Sequence, residues 1–442
     1  MNIAWKLRVG LGLLSCIAVP ASAADPSSQW GTGDWGGLRS ELLEQGVDVI
    51  LGYVGEGATN VHGGYNHDRT ARYTAQWALG THLDLQNLLG WNAEFQLLVT
   101  ERNGNNLSNE RVSDPRAPQL SSVQEVWGRG QTWRLTQMWY RQKFFDSPLD
   151  LKLGRLGVNE DFASFLCDFQ SLSFCSAPIG NVAGDVWYSG PVSQWGGRVR
   201  YNLNEQWAVQ LGAYEQNPSY LSTGNGFKLS GSGTKGALVP VEVIWKPTVG
   251  QQALPGEYRL GYYHSSAAAS DVYDDVNGAA QALTGQAPKS RSSKHGAWIM
   301  GQQQLTAHHG DASRGLSVFA SLTVHDKATS SIESFQNIGA VYKGPFDARP
   351  KDDIGLGVAR LKVNDDVTKR QRLVNDSTGI TDYDNPLYVP VQHSEYNIEL
   401  NYGVHVTDWL TVRPNVQYVR NPGGVYEVDN AWVAGLKLQA SF

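Results

Sequence analysis

The sequence predicts an all-β fold: a 16-stranded antiparallel transmembrane β-barrel with a short N-terminal periplasmic helix and an infolded constriction loop. Three observations predict it. The first is the final stretch, where Trp432, Ala434, Leu436, Leu438, Ala440 and Phe442 alternate with Val433, Gly435, Lys437, Gln439 and Ser441. A period of two puts these sets on opposite faces of a strand, and about eleven tilted residues cross a bilayer. A strand in lipid cannot leave an edge unpaired, so this one must close a barrel. The second is a series of alternating segments whose connections are long and short in turn. A soluble sheet has no reason for that rhythm, whereas a barrel with long outer loops and short periplasmic turns does. The third is composition. Mean hydropathy is −0.35, and beyond the N-terminus no run approaches the 18 apolar residues of a membrane helix. A barrel needs only one apolar face per strand. The 48 glycines, 15 tryptophans and 19 tyrosines suit barrel bends and aromatic girdles.

Taken in order, residues 1–23 form a signal peptide: Lys6 and Arg8, the apolar run Val9 to Val19, then Ala21-Ser22-Ala23 as cleavage site. Leu13-Leu14-Ser15-Cys16 offers a lipoprotein-type alternative, but Ala-Ser-Ala follows at the usual distance. Residues 24–46 are a periplasmic segment. Asp34 caps a short amphipathic helix carrying Leu38, Leu42 and Leu43, and Gly46 stops it. The barrel domain is 47–442, with strands expected at 47–57, 70–84, 91–101, 132–146, 148–156, 192–203, 206–216, 237–248, 255–266, 293–307, 314–325, 335–343, 353–363, 394–405, 409–419 and 430–442. Long connections fall at 102–131, 157–191, 217–236, 267–292 and 364–393. A formal charge of −6 gives no nucleic-acid signal. Cys16 leaves with the signal peptide. Cys167 and Cys175 remain as an even pair in an oxidising compartment, which predicts a disulfide.

Sixteen strands enclose an aqueous channel unless loops fill it, and strand parity says what lines it. Arg72, Thr74, Gln76 and His82 oppose Tyr73, Ala75, Trp77 and Leu79; Glu94, Gln96 and Thr100 oppose Trp91, Ala93, Phe95, Leu97 and Val99. Farther on, Arg198 and Arg200, then Glu395, Asn397, Glu399 and Asn401, then Arg413, Asn415 and Gln417 face inward. In the fourth strand Trp139 and Arg141 share a face with Leu135, which calls for a bulge between them. The substrate-binding candidates on the wall are therefore Arg72, Glu94, Gln96, Trp139, Arg141, Arg198, Arg200, Glu399 and Arg413. The 157–191 connection is too apolar for a loop in water, with Phe162, Phe165, Leu166, Phe169, Leu172, Phe174 and Ile179. Folded into the barrel it buries them and presents Asp161, Asp168 and Gln170 to the channel. Guanidinium forks, carboxylates and amides of both signs suit sugar hydroxyls better than they suit ions of one charge.

Asp34-Trp35-Gly36-Gly37-Leu38-Arg39 with Leu42-Leu43 and Gly46, the segment Asn159-Glu160-Asp161-Phe162 through Phe174-Cys175, and the ending Trp432-Val433-Ala434-Gly435-Leu436 resemble the OprB-type carbohydrate-selective porins. That resemblance covers essentially the whole mature chain. It implies an outer-membrane channel of a Gram-negative bacterium for glucose and related monosaccharides. Outer-membrane lipid, lipopolysaccharide and the barrel-assembly machinery are the expected partners, with homotrimer and monomer both open and no cofactor. A general or ion-selective porin is the alternative, and a barrel hydrolase a third class. His308-His309, and His62 with His67, are read as surface histidines rather than a metal site. Asp271, Asp274, Asp275 and the pair Asp365-Asp366 are read as solvated loop carboxylates.

Overall fold

The computed structural model describes residues 28–145, 148–164, 168–175 and 177–442. The signal peptide, and Phe165, Leu166 and Cys167 of the constriction loop, lie outside the described residues. Among the described residues sixteen long strands form the wall: β1 Val47–His62, β2 Ala71–Asp84, β3 Ala93–Gly104, β4 Trp133–Phe144, β5 Leu149–Leu156, β6 Gln194–Asn202, β7 Trp207–Gln216, β8 Gly236–Trp245, β9 Leu254–Ser265, β10 Lys294–Gln304, β11 Gly315–His325, β12 Ile332–Lys343, β13 Asp353–Val363, β14 Ser394–His405, β15 Leu410–Arg420 and β16 Ala431–Ser441. Each pairs antiparallel with its neighbours, and β1 pairs with both β2 and β16, which closes the barrel. The five long connections fall where expected, but the alternation is not uniform: 326–331 between β11 and β12 is shorter than the turns 305–314 and 344–352 on either side. The strand at 91–101 begins two residues late, because Asp84 caps a helical turn, Leu85–Leu89, by accepting the Gln86 and Asn87 amides.

Parity divides the wall. Tyr73, Trp77, Leu97, Leu400, Trp432 and Leu436 are exposed outward, while Thr74, Thr100, Glu399, Asn401 and Lys437 are buried inside. The expected bulge in β4 is present. Leu98 pairs with Gln137 and Val99 with Leu135, so Thr136 is the extra residue that resets the parity.

The N-terminal segment clasps the seam. A 3-10 turn, Trp35–Gly37, leads into the helix Leu38–Glu44, and the Asp34 carboxylate accepts both the amide and the hydroxyl of Ser40 at 2.8 Å. The helix throws Arg39 under the rings of Trp30 and Trp35, 4.3 and 5.1 Å away. There it donates to the carbonyls of Val49 and Phe442, one from each side of the closure. Phe442 in turn bonds its amide to the Leu51 carbonyl at 2.7 Å and stacks on Trp77.

Candidate functional site: the constricted lumen

The connection 157–193 enters the barrel, and the wall is shaped to receive it. Phe162 meets Tyr214 edge-on, Trp187 meets Tyr263 and Trp298, and Phe169 meets Phe174 and Phe319. These wall aromatics, on β7, β9, β10 and β11, point inward and give the loop apolar seats. Two glycines of β13 make room. A Cβ on Gly357 would stand 2.7 Å from the Phe174 ring, and one on Gly355 3.1 Å from Phe169. Polar anchors finish the attachment. The Glu399 carboxylate accepts the amides of Gln170 and Ser171 at 3.0 and 2.6 Å. Glu242 accepts the Ala163 amide at 2.9 Å and the Trp298 indole N–H at 2.9 Å. Lys152 reaches Glu160 and Asp161 at 2.9 and 3.2 Å. Cys175 is disulfide-bonded.

A second loop, 105–132, also folds inward, which the sequence did not announce. Its amides and serines do what aromatics do in the first loop. Gln124 donates to the Glu56 carbonyl at 2.8 Å and accepts the Leu107 amide at 2.9 Å. The Val126 amide donates to the Glu56 carboxylate at 3.2 Å. Lys437 of β16 links this loop to the other, 3.1 Å from the Glu125 carboxylate and 2.9 Å from the Phe169 carbonyl. The loops touch each other through Glu125 and Gln170, Leu172 and Ser122, and the Ser121 and Ser173 hydroxyls at 2.7 Å.

This placement corrects part of the pore lining expected from parity. Gln170, Glu399, Arg198, Arg413 and Trp139 do point inward, but all are buried beneath the loops instead of facing open channel. Gln170 binds the Gly57 carbonyl and Asn415; Arg413 pairs with Asp353; Lys152 sits 4.4 Å above the Trp139 ring. Asp161 is tied to Lys152 and Arg198, and the Asp168 carbonyl accepts from Asn401 at 3.4 Å. Glu94, Gln96, Arg141 and Arg200 remain partly open. Arg141 bridges Glu94 and Asp150, and Gln96 bonds Gln137 at 2.8 Å. Arg72 holds Glu110 of the second loop. Parity gave direction correctly; it could not say which inward positions a loop would cover.

Open space also lies between the loops. A cavity of about 330 Å³ is lined by Arg102, Glu125, Trp127 and Arg129 on one side and by Leu172, Asn181 and Ser189 on the other. That volume is at the lower end for small-molecule sites, roughly 300–1,000 Å³. Arg102 donates to the Gln76 amide oxygen at 2.7 Å and to the Trp127 carbonyl at 3.3 Å. Arg129 donates to the Gly184 carbonyl at 2.8 Å. None of these lining residues was foreseen. Arg102 continues the inward parity of Glu94, Gln96 and Thr100, one residue past the expected strand end. Trp127-Gly128-Arg129-Gly130 carried the other signal, since Gly128, Arg129 and Gly130 all take positive φ in a turn that aims Arg129 across the gap. Burial pushes the Arg129 guanidinium below its ordinary value, against the pull of Tyr188 and Asp185. Burial likewise raises the Glu160 carboxyl, against nearby Lys152.

Elsewhere, Asp271 and Asp274 are engaged by Arg291, and His67 by Asp429. His308 and His309 come together with Asp347 of the neighbouring turn, their ligand atoms within 4.8 Å of one another. Arg314 and His308 already hold that carboxylate at 2.9 and 3.1 Å.

A closed sixteen-stranded barrel with a lumen narrowed by infolded loops is an outer-membrane porin. The sequence profile described as carbohydrate-selective porin, OprB family, matches residues 68–442, and Porin B of Pseudomonas aeruginosa is 67% identical over 433 residues, 98% of this chain and 95% of that protein. The chain belongs to the OprB family and is a sugar-diffusion channel of the Gram-negative outer membrane. Putative porin QuiX of Acinetobacter baylyi is 43% identical over 421 residues, covering 94% of this chain and 93% of that one. The high-pH structure of Pseudomonas putida OprB superposes with a TM-score of 0.93 at 66% identity, over 95% of this chain and 100% of that one.

Proposed function

We propose that sugar selection takes place in the cavity between the two loops, with Arg102, Glu125 and Arg129 as the groups that exchange hydrogen bonds with hydroxyls. The observation carrying this reading is the convergence there of donors and an acceptor from a wall strand and a loop, around a space of monosaccharide size. Forked guanidinium donors hold two neighbouring hydroxyls at once, and Glu125 accepts from a third. Glu94, Gln96, Arg141 and Arg200 form the wall along which the sugar continues toward the periplasm, and Arg72 positions the second loop through Glu110. Glucose and related monosaccharides are the substrates in this reading, and the chain acts as a channel without catalysis. The signal peptide 1–23, a periplasmic place for 24–46, a Cys167–Cys175 bridge, and contact with lipopolysaccharide and the assembly machinery belong to the same reading.

Liposome swelling with sugars of increasing size tests it. Monosaccharides should enter well above trisaccharides, and glucose should block ion current through single channels. Entry governed by size alone, without block by glucose, would favour a general porin.

A further inference from the structure

The cavity carries more positive charge than its carboxylates balance. Among the described residues Arg102, Arg129 and the adjoining Arg134 form no ion pair. Arg102 and Arg129 spend their hydrogen bonds on Gln76 and on backbone carbonyls. Arg134 is held by the carbonyls of Arg129, Tyr220 and Leu221. The carboxylates near them, Glu56 and Glu125, both lean on Lys437, at 3.4 and 3.1 Å. Asp185 is matched by Lys294 at 2.9 Å. Four cations, Arg102, Arg129, Arg134 and Lys437, therefore stand against three carboxylates, Glu56, Glu125 and, beside Lys437, Glu399, an excess of one positive charge around the cavity.

A neutral hexose does not use that excess. Hydroxyls need donors and acceptors, which amides supply without the cost of keeping guanidinium groups partly out of water. Carbonyl oxygens meet the hydrogen-bonding needs of these arginines and leave their charge uncompensated. An anion entering between the loops would supply the missing charge, and Arg presents a fork matched to a carboxylate. The same anion still needs hydroxyl partners, because Glu125, Asn181 and Ser189 also line the space.

We propose that the channel also admits monosaccharides bearing a carboxylate, the aldonates and uronates, and holds them more tightly than neutral hexoses at low ionic strength. This rests on the cavity between the loops being the sugar site. The carboxylate meets Arg102 and Arg129, and the hydroxyls meet Glu125, Asn181 and Ser189. Passage stays possible because Lys437 already occupies Glu125, so the anion meets no unpaired carboxylate on entry.

Single-channel recording on the full mature chain tests this with three solutes: glucose, glucuronate and the uncharged glucuronamide. In about 0.1 M salt, glucuronate should half-block at roughly a third to a tenth of the glucose concentration, while glucuronamide matches glucose. The advantage should vanish in about 1 M salt, where the Debye length falls to about 3 Å. It should vanish in Arg129→Gln and persist in Arg129→Lys. Equal or weaker block by glucuronate than by glucose overturns the proposal, as does an equal gain with glucuronamide. If glucose blocks and glucuronate has no advantage, only this inference falls. If neither sugar blocks, the assignment of the cavity falls with it.

Discussion

The two loops that enter the barrel are held in opposite ways. The loop 157–193 is an apolar wedge: Phe162, Phe169, Phe174, Ile179 and Trp187 are buried against inward-facing aromatics, and a few carboxylates fix its backbone. The loop 105–132 is a polar lattice: Asn106 bonds Ser122, Ser108 and Gln124 accept the Val123 and Leu107 amides, Ser121 bonds Ser173 of the wedge and Gln124 reaches β1, while Leu107, Val112 and Val123 supply a small core. Apolar burial does not depend on direction, so the wedge can sit firmly with few exact contacts. A buried hydrogen-bond lattice is directional, and one missing partner leaves another group unsatisfied. The wedge supplies mass that narrows the barrel. The lattice supplies the register that places Glu125 and Arg129.

The largest expected effect of breaking either loop comes from the wedge. Trp187→Ala removes a fully buried indole between Tyr263 and Trp298, and losses of this type cost about 3–5 kcal/mol. The barrel should still insert, because the strand ladder closes without the loop, but single channels should conduct more and flicker. Unchanged conductance and noise would mean that the wedge does not set the narrow point. Next comes Glu399→Gln, which keeps one acceptor and replaces the other with a donor facing the loop amides. The expected cost is about 1–3 kcal/mol, read as faster hydrogen exchange at Gln170 and Ser171. In the lattice, Gln124→Ala should cost about 1–2 kcal/mol and weaken glucose block more than it alters conductance. If conductance changes and block does not, the division of labour between the loops is wrong.

The contrast also decides how much was legible. An apolar loop between two strands of an outer-membrane barrel is conspicuous, so Phe162, Phe169, Phe174 and Ile179 announced their own burial. The period-two pattern likewise carried all sixteen strands, and even the β4 bulge could be read from the clash between Leu135 and Arg141. The polar loop was invisible for the opposite reason: Ser, Asn and Gln look the same whether they bond to water or to a wall. The cavity arginines escape notice on that account, and Gln170 and Glu399 read as open-channel residues although Gln170 is pressed against the wall and the wedge covers Glu399. Cover depends on the third dimension, and alternation along one strand does not contain it.

The smallest expected effect is on pH. Against the penalty of burial, hydrogen bonds from Arg116 and Tyr383 hold the Asp114 carboxyl below the usual carboxylate range. A depressed carboxyl stabilises above its unfolded value, about 3.9, and that contribution is lost as pH falls through the folded value. Glu160 is raised instead, by burial. Its ionisation costs stability once pH climbs past the unfolded value of about 4.3, and protonation relieves that cost. Acid should therefore loosen the outer tie of the lattice and spare the wedge at Glu160. Hydrogen exchange between about pH 5 and pH 3 should rise first in 105–132, and Asp114→Asn should remove that pH dependence. Loosening of both loops together would contradict the separation.

The placement of sugar selection between the loops is tested most directly by glucose block of single-channel current in two double variants. Arg102→Gln with Arg129→Gln alters the cavity, and Glu94→Gln with Arg141→Gln alters the open wall below it. The expected result is block weakened about tenfold or more in the first pair, with nearly unchanged block in the second. Block that survives in the cavity pair and disappears in the wall pair would contradict the account.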